Sequence, residues 1–270
     1  MKKIVLVIFI LLVYQVLFSQ ISGIIPSGNS IASTSVSDSR SWTAFNNPAM
    51  LGYVDKAEIG IQYENRFIID ELSTKSFQAA YSTQFVNMGL SFAYFGYSLY
   101  HEMLLGLGFA RNFSDKFALG VQFNYLNAYF SATNEYKTAF FPQIGLNVSI
   151  SPVFNIGFNT FNPFQINITT EYIIKRIPSV FSLGTEYFFS KDLVWRVQID
   201  KEISSNYRFA SGFDYEMLNF LKIKLGAYAG NYLVSCLGLG IKTGAFFFDL
   251  NGELHPLLGL NTFASVKYRF

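Results

Sequence analysis

The chain has 270 residues, of which 14% are Asp, Glu, Lys or Arg, 51% are apolar types and 18% are aromatic. Soluble domains carry about 25% charged residues, so this composition excludes a disordered chain, a low-complexity linker and a basic nucleic-acid-binding domain. The formal charge of +2 comes from Lys2 and Lys3, and without them 18 bases face 18 acids.

The two lysines precede an apolar run at residues 4–18, interrupted by Gln15 and followed by Ser19-Gln20. That order of basic, apolar and small residues is a secretory signal peptide over residues 1–19. An uncleaved anchor is the competing reading, but the run is shorter than the roughly 20 residues of a spanning helix. Cys236 is the only cysteine, so export brings no internal disulfide. Beyond residue 20, Gly, Ser, Asn, Gln and charges break every apolar stretch, which excludes helical spans. Residues 20–56 contain eight serines and do not alternate.

From residue 57 onward apolar residues recur at every second position, the period of a strand with two unlike faces. Alternation runs over 57–66, 74–85, 88–97, 102–112, 117–129, 140–150, 153–161, 179–189, 193–202, 207–216, 221–225, 232–243, 245–254 and 258–270, which makes fourteen strands. At about fifteen residues per strand and connection, this suits membrane strands joined by short turns. Leu193, Trp195, Val197 and Ile199 alternate with Arg196, Gln198, Asp200 and Glu202. In the next strand Tyr207, Phe209, Phe213 and Tyr215 alternate with Arg208, Gly212, Asp214 and Glu216, and then Leu221, Ile223 and Leu225 with Lys222 and Lys224. Ser114-Asp115-Lys116, Ser151-Pro152, Ser190-Lys191-Asp192 and Gly230-Asn231 supply turn chemistry between strands.

Many amphipathic strands fit either a soluble sandwich or barrel with its apolar face inward, or a membrane barrel with that face outward. The polar face here is rich in Gly, Ala, Ser, Asn and Gln, with charges gathered in a few strands, which is the composition of a lumen. Aromatics near strand ends, such as Tyr94, Tyr97, Tyr125, Tyr129, Phe188 and Phe189, fall where interfacial girdles belong. The expected fold is an all-β, closed transmembrane antiparallel barrel of fourteen strands bathed in outer-membrane lipid. With both barrel ends on the periplasmic side, the longest connection, residues 162–178, faces outward. Its Phe164, Ile166, Ile168, Tyr172, Ile173 and Ile174 offer either an apolar ligand contact or extended strand above the membrane.

The last strand carries Val266, Tyr268 and Phe270 on one face and Lys267 and Arg269 on the other. A terminal aromatic closing an alternating strand resembles the signal read by the bacterial barrel-assembly machinery, which assigns Tyr268 and Phe270 that role. Residues 35–51, through Asp38 to Asn47-Pro48-Ala49-Met50-Leu51, resemble the small-residue, Asp, Asn-Pro-Ala-x-Leu opening of FadL-like barrels. The sequence is most similar to the Bacteroidetes branch with the PorV and PorQ barrels of type IX secretion, through Phe113-Ser114-Asp115-Lys116-Phe117, Ile156-Gly157-Phe158, Asn162-Pro163 and Arg176-Ile177-Pro178.

The resemblance implies that residues 20–56 fold into the lumen of the barrel at 57–270 as a plug or hatch. It implies either transport of small hydrophobic compounds or a non-conducting scaffold or shuttle with secretion-complex partners. Tight turns at 99–102, 203–206 and 230–231 depart from the longer capture loops of fatty-acid transporters. An Asn-Pro step sets a turn, and Asn side chains cap backbone groups left unpaired outside a sheet. Asp38, Arg40, Asn46, Asn47 and Pro48 therefore form the candidate plug site, with Glu64, Arg66, Arg196 and Asp214 as lumen charges for it to meet. The bland reading is an ordered periplasmic tail. Asp200, Arg208, Glu216, Lys222 and Lys224 complete the lumen set, where charges commonly pair across strands.

Catalysis has little to draw on: His101 and His255 are the only histidines. A rim cluster of Ser98, His101 and Glu102, and His255 with a serine from a neighbouring hairpin, are the triad-like groupings to consider. No Cys, His or Asp pairing has metal-ligand spacing, and Gly106-x-Gly108 and Gly238-x-Gly240 lack a dinucleotide loop's context. Neither an enzyme nor a cofactor is expected. For transport, either a continuous apolar pocket from the outer rim or a side-wall gap beside the hatch is expected, at a strand bearing Gly or Pro such as Phe141-Pro142.

Overall fold

A strand in hydrocarbon can leave no backbone N–H or C=O unpaired, and a sheet meets that demand only by closing on itself. The computed structural model describes residues 31–38, 43–114, 116–169 and 174–270. The expected signal peptide, Arg40, Asp115, Tyr172 and Ile173 lie outside the described residues.

The strands are β1 (Ala57–Arg66), β2 (Ile69–Tyr81), β3 (Asn87–Tyr97), β4 (Tyr100–Phe113), β5 (Phe117–Phe130), β6 (Glu135–Ser151), β7 (Phe154–Phe161), β8 (Asn167–Thr169), β9 (Ile174–Arg176), β10 (Val180–Phe188), β11 (Leu193–Glu202), β12 (Tyr207–Leu218), β13 (Leu221–Ala229), β14 (Leu233–Thr243), β15 (Phe246–His255) and β16 (Gly259–Arg269). All but β8 and β9 form a closed antiparallel barrel of fourteen strands. β1 pairs with β2 on one side and β16 on the other, with Glu58 opposite Arg269. The final residue extends this seam, Phe270 N–H donating to Ala57 O at 3.0 Å, and the Tyr268 and Phe270 rings meet edge to face.

Several strand ends differ from the sequence pattern for local reasons. β2 begins at Ile69 rather than 74, because Phe67 and Ile68 both take positive φ and bring Ile69 opposite Arg66. It stops at Tyr81, and Thr83 Oγ1 ties the following turn to Val86. β6 is 17 residues long and outruns β7, which ends at Phe161 opposite Gln143. Pro142 therefore lies just where the wall loses its β7 partner. β8 and β9 pair with each other as a hairpin inside the connection from β7 to β10, the extended-strand alternative for that loop.

Ile61, Phe123, Leu225, Leu237 and Leu250 stand exposed on the outside of the barrel, an apolar wall suited to hydrocarbon. Aromatic pairs such as Phe113–Phe117 and Phe246–Tyr268 edge one end, and His101 stacks between Tyr94 and Tyr129 at the other. Inward positions hold Glu58, Gln62, Glu64, Gln78, Gln122, Arg196 and Asp214, all buried. The inner wall is not polar throughout, however. On β3 to β7, away from the termini, Ala93, Phe95, Leu104, Leu126, Ala128, Ala139, Phe141 and Phe161 point inward. Phe45, Ile168 of β8 and Ile177, the residue after β9, pack onto them and bury them.

Strand glycines open the room in which the N-terminal segment lies. A Cβ on Gly120 would collide with the backbone of Pro48 and Ala49, and one on Gly157 would meet Val36 O at 2.5 Å. A Cβ on Gly252 would meet nothing closer than 3.6 Å. Gly120→Val is accordingly expected to destabilise by about 1–3 kcal/mol, the usual cost of overpacking, while Gly252→Val is tolerated. The temperature at which the folded band is lost in heat-modifiability gels measures both.

Candidate functional site

The N-terminal segment crosses the lumen by exchanging its own unpaired backbone groups for barrel amides. A turn at Ile31–Ser33 sits against β12 to β14, residues 36–38 against β7, β10 and β11, and a helical turn at Thr43–Asn46 leads into a 3-10 helix at Pro48–Tyr53 against β3 to β6. Asn47 caps that helix, accepting from Ala49 N at 3.0 Å, and Pro48 at its first position gives up no needed donor. The Asn47 amide also donates to Val36 O at 2.6 Å, tying the two halves of the plug together.

Four barrel amides complete the cradle. Gln198 accepts from Val36 N at 3.1 Å, and Gln143 donates to the carbonyls of Phe45 and Asn46 at 3.2 and 3.3 Å. Asn87 donates to Leu51 O and Val54 O at 2.8 and 2.9 Å, and Asn147 to the Tyr53 hydroxyl at 2.9 Å. None of these four stood out in the sequence as a plug contact. Their only mark is an amide at an inward strand position, mid-strand for Gln143, Asn147 and Gln198 and at the start of β3 for Asn87.

Charge holds the centre. The Arg196 side chain is 0% exposed and meets Glu186 at 2.9 Å, Asp214 at 2.9 Å and the plug's Asp38 at 3.3 Å. Register explains the barrel pair: Glu186 lies directly opposite Arg196 across β10 and β11. Of the other expected lumen charges, Arg66 pairs with Glu64 at 2.6 Å, Arg208 with Asp200 at 2.7 Å and Lys224 with Asp249. The expectation that plug asparagines meet these charges is corrected: Asn47 bonds to backbone, and the Asn46 carbonyl meets Gln143. Glu216 and Lys222 sit opposite each other across β12 and β13.

A cavity lies on either side of the plug, and among the described residues the two share no lining residue. The one toward the chain termini, about 200 Å³, is bounded by Asp38, Glu216, Lys222, Lys224, Lys267 and Arg269. The vestibule at the loop end is about 530 Å³, with Ser33, Val36, Phe45 and Asn46 as its floor and Tyr207, Tyr232 and Leu258 at its rim. Beside it, the β8–β9 hairpin is pinned by Lys175, which pairs with Glu102 and the Tyr100 hydroxyl. Burial pushes the Lys175 ammonium below its ordinary pKa, against the pull of Glu102. Ile168 is buried, whereas Phe164 and Ile174 remain exposed.

The triad-like groupings do not assemble. Alternation turns Glu102 into the lumen while His101 stacks among rim tyrosines, and His255 Nδ1 accepts from Leu257 N and Leu258 N to cap a turn.

No family model matches the sequence, and no curated protein matches it. Solved structures share the fold. A Pseudomonas aeruginosa FadL homologue is 12% identical with a TM-score of 0.66, over 92% of this chain and 100% of that one. The Pseudomonas putida toluene transporter TodX is 9% identical with a TM-score of 0.63, over 93% and 96%. The Acinetobacter baumannii outer membrane protein Omp33 is 11% identical with a TM-score of 0.52, over 81% and 100%. At these identities the likeness is one of fold, to FadL-family barrels among others.

Removing one partner from a buried charge cluster costs about 3–5 kcal/mol, because the others are left uncompensated. Arg196→Met, which strands Glu186, Asp214 and Asp38 together, is expected to lower stability by about that amount. Asp38→Asn should lower it by less. Urea unfolding in lipid vesicles, followed by tryptophan fluorescence, measures both.

Proposed function

We propose that this chain is an outer-membrane barrel that admits small hydrophobic compounds, with residues 20–56 gating its lumen. Residues 1–19 direct export, and the barrel at 57–270 is inserted by assembly machinery that reads Tyr268 and Phe270. With both barrel ends periplasmic, the loop-end vestibule opens to the outside. The observation that carries the reading is this vestibule, whose floor is the plug itself and whose apolar floor and rim residues include Val36, Phe45, Tyr232 and Leu258. Apolar surface there lies beside polar groups that include the paired charges Glu64–Arg66 and Asp200–Arg208, and a concave site that joins apolar wall to placed polar groups is where small molecules bind. The toluene transporter among the structural neighbours is consistent with such cargo. Pairing of Glu64 with Arg66 and of Asp200 with Arg208 keeps the lumen charges from demanding water of their own.

The alternative is a non-conducting PorV- or PorQ-like scaffold serving type IX secretion or another envelope complex. One observation favours it: the plug stands between two cavities that share no lining residue among the described residues. Uptake separates the two. Liposomes carrying the exported chain are expected to take up some members of a panel of alkanes, monoaromatics and fatty acids selectively, and deletion of residues 20–45 should change that uptake. No uptake by either form, with a protein partner recovered from native membranes, would overturn transport and establish the scaffold.

A further inference from the structure

Arg208 touches both the plug backbone and the loop-end vestibule. Its Nη1 donates to Ala32 O at 3.0 Å and its Nη2 to Ser33 O at 3.3 Å, while Nε donates to Asp200 at 2.8 Å. The guanidinium lies over the Tyr228 ring at 5.0 Å, and the side chain is 26% exposed among the vestibule residues.

The plug turn it holds is strained. Ala32 and Ser33 both have φ of 52°, and Thr34 N–H closes the turn on Ile31 O at 3.1 Å. Two consecutive positive-φ residues make a turn that Gly and Asn adopt readily and Ala and Ser do not. Such a conformation persists only when its surroundings impose it, and the carbonyls of the two strained residues are those bound by Arg208. The same turn seats Ile31 over Gly212 and Gly226 and buries Cys236 behind Ile31 and Ala32.

We propose that Arg208 couples occupation of the vestibule to release of this turn, and that the ligand it answers is an uncharged apolar molecule bearing one hydrogen-bond acceptor, such as a ketone or ester carbonyl. An acceptor in the vestibule competes for the N–H groups spent on the neutral carbonyls Ala32 O and Ser33 O rather than for those on Asp200, where both partners carry charge, and relief of the strained turn favours the exchange. Once those carbonyls are freed, the turn relaxes and Ile31 leaves its seat. The wall selects against an anionic head: Glu64, Asp200, Glu202 and Glu253 face Arg66 and Arg208, and Glu64 Oε2 has no hydrogen-bond partner among the described residues. An alkane has no acceptor to offer. This inference rests on the transport reading and names its ligand class.

Cys236, the sole cysteine, reports on the turn without engineering. In liposomes holding the full exported chain, nonan-2-one is expected to raise the rate of Cys236 modification by a small maleimide by roughly tenfold, the weight of about one hydrogen bond. Nonane and nonanoate should leave it unchanged. Arg208→Met should label at the raised rate without ligand and gain nothing from the ketone. Ser33→Gly, which relieves the positive φ and keeps Arg208, should label more slowly than the native chain, and it decides the matter if Arg208→Met fails to fold. Equal effects of nonane and nonan-2-one, a larger effect of nonanoate, or native labelling by folded Arg208→Met would overturn the proposal. Uptake of the same solutes is measured in parallel. Uptake with a flat Cys236 response contradicts Arg208 coupling and leaves transport standing, whereas a ketone response without uptake supports the coupling and contradicts transport.

Discussion

A guanidinium with no contact with water has to be met by carboxylates, and around Arg196 that demand organises the lumen. Glu186 comes from the neighbouring strand by register, Asp214 from the strand on the other side and Asp38 from a segment more than a hundred residues away in sequence. Because desolvation makes any lone member of such a cluster costly, the plug carboxylate is bound to the barrel centre. The rest of the plug can then use weaker, neutral contacts. Amides of Gln143, Gln198, Asn87 and Asn147 take up its backbone groups, and small strand residues leave the space it fills.

With the plug anchored there, the lumen is divided along its axis and also around its wall. Along the axis, the loop-end vestibule and the terminus-side cavity lie on opposite sides of the plug. Around the wall, the β3 to β7 side is an apolar core shared by Phe45 and the β8–β9 hairpin, whereas the β11 to β16 side carries most of the ion pairs. The open vestibule thus sits between an apolar half and a charged half, a setting suited to molecules with a greasy body and one polar group.

The barrel was legible in the sequence because strand alternation reports directly on two unlike environments. Leu193 to Glu202 separates into outward Trp195 and inward Arg196 and Asp200 by parity alone, and the same parity yields fourteen strands in the right order. Strand ends were less legible: two residues with positive φ, Phe67 and Ile68, extend β2 backward through a segment that does not alternate. Alternation also cannot say what an inward residue meets. Phe95, Leu104 and Phe141 look like lapses in a polar lumen until Ile168 and Ile177 cover them. The amides that cradle the plug were invisible for a similar reason, since Gln198 meets a partner 162 residues away and nothing local marks it. Asp38 and Asn47 were identifiable as plug residues, but their partners follow from the path of the chain through the lumen.

The central claim is that the plug divides the lumen, and that its anchors keep the barrel shut. Ion conductance across a planar bilayer tests this most directly, comparing the native chain with the Asp38→Ala, Asn47→Ala double variant, whose strands are untouched. The account predicts a closed baseline with brief openings for the intact chain and sustained openings for the variant. Equal, steady conductance in both would show that the segment does not divide the lumen.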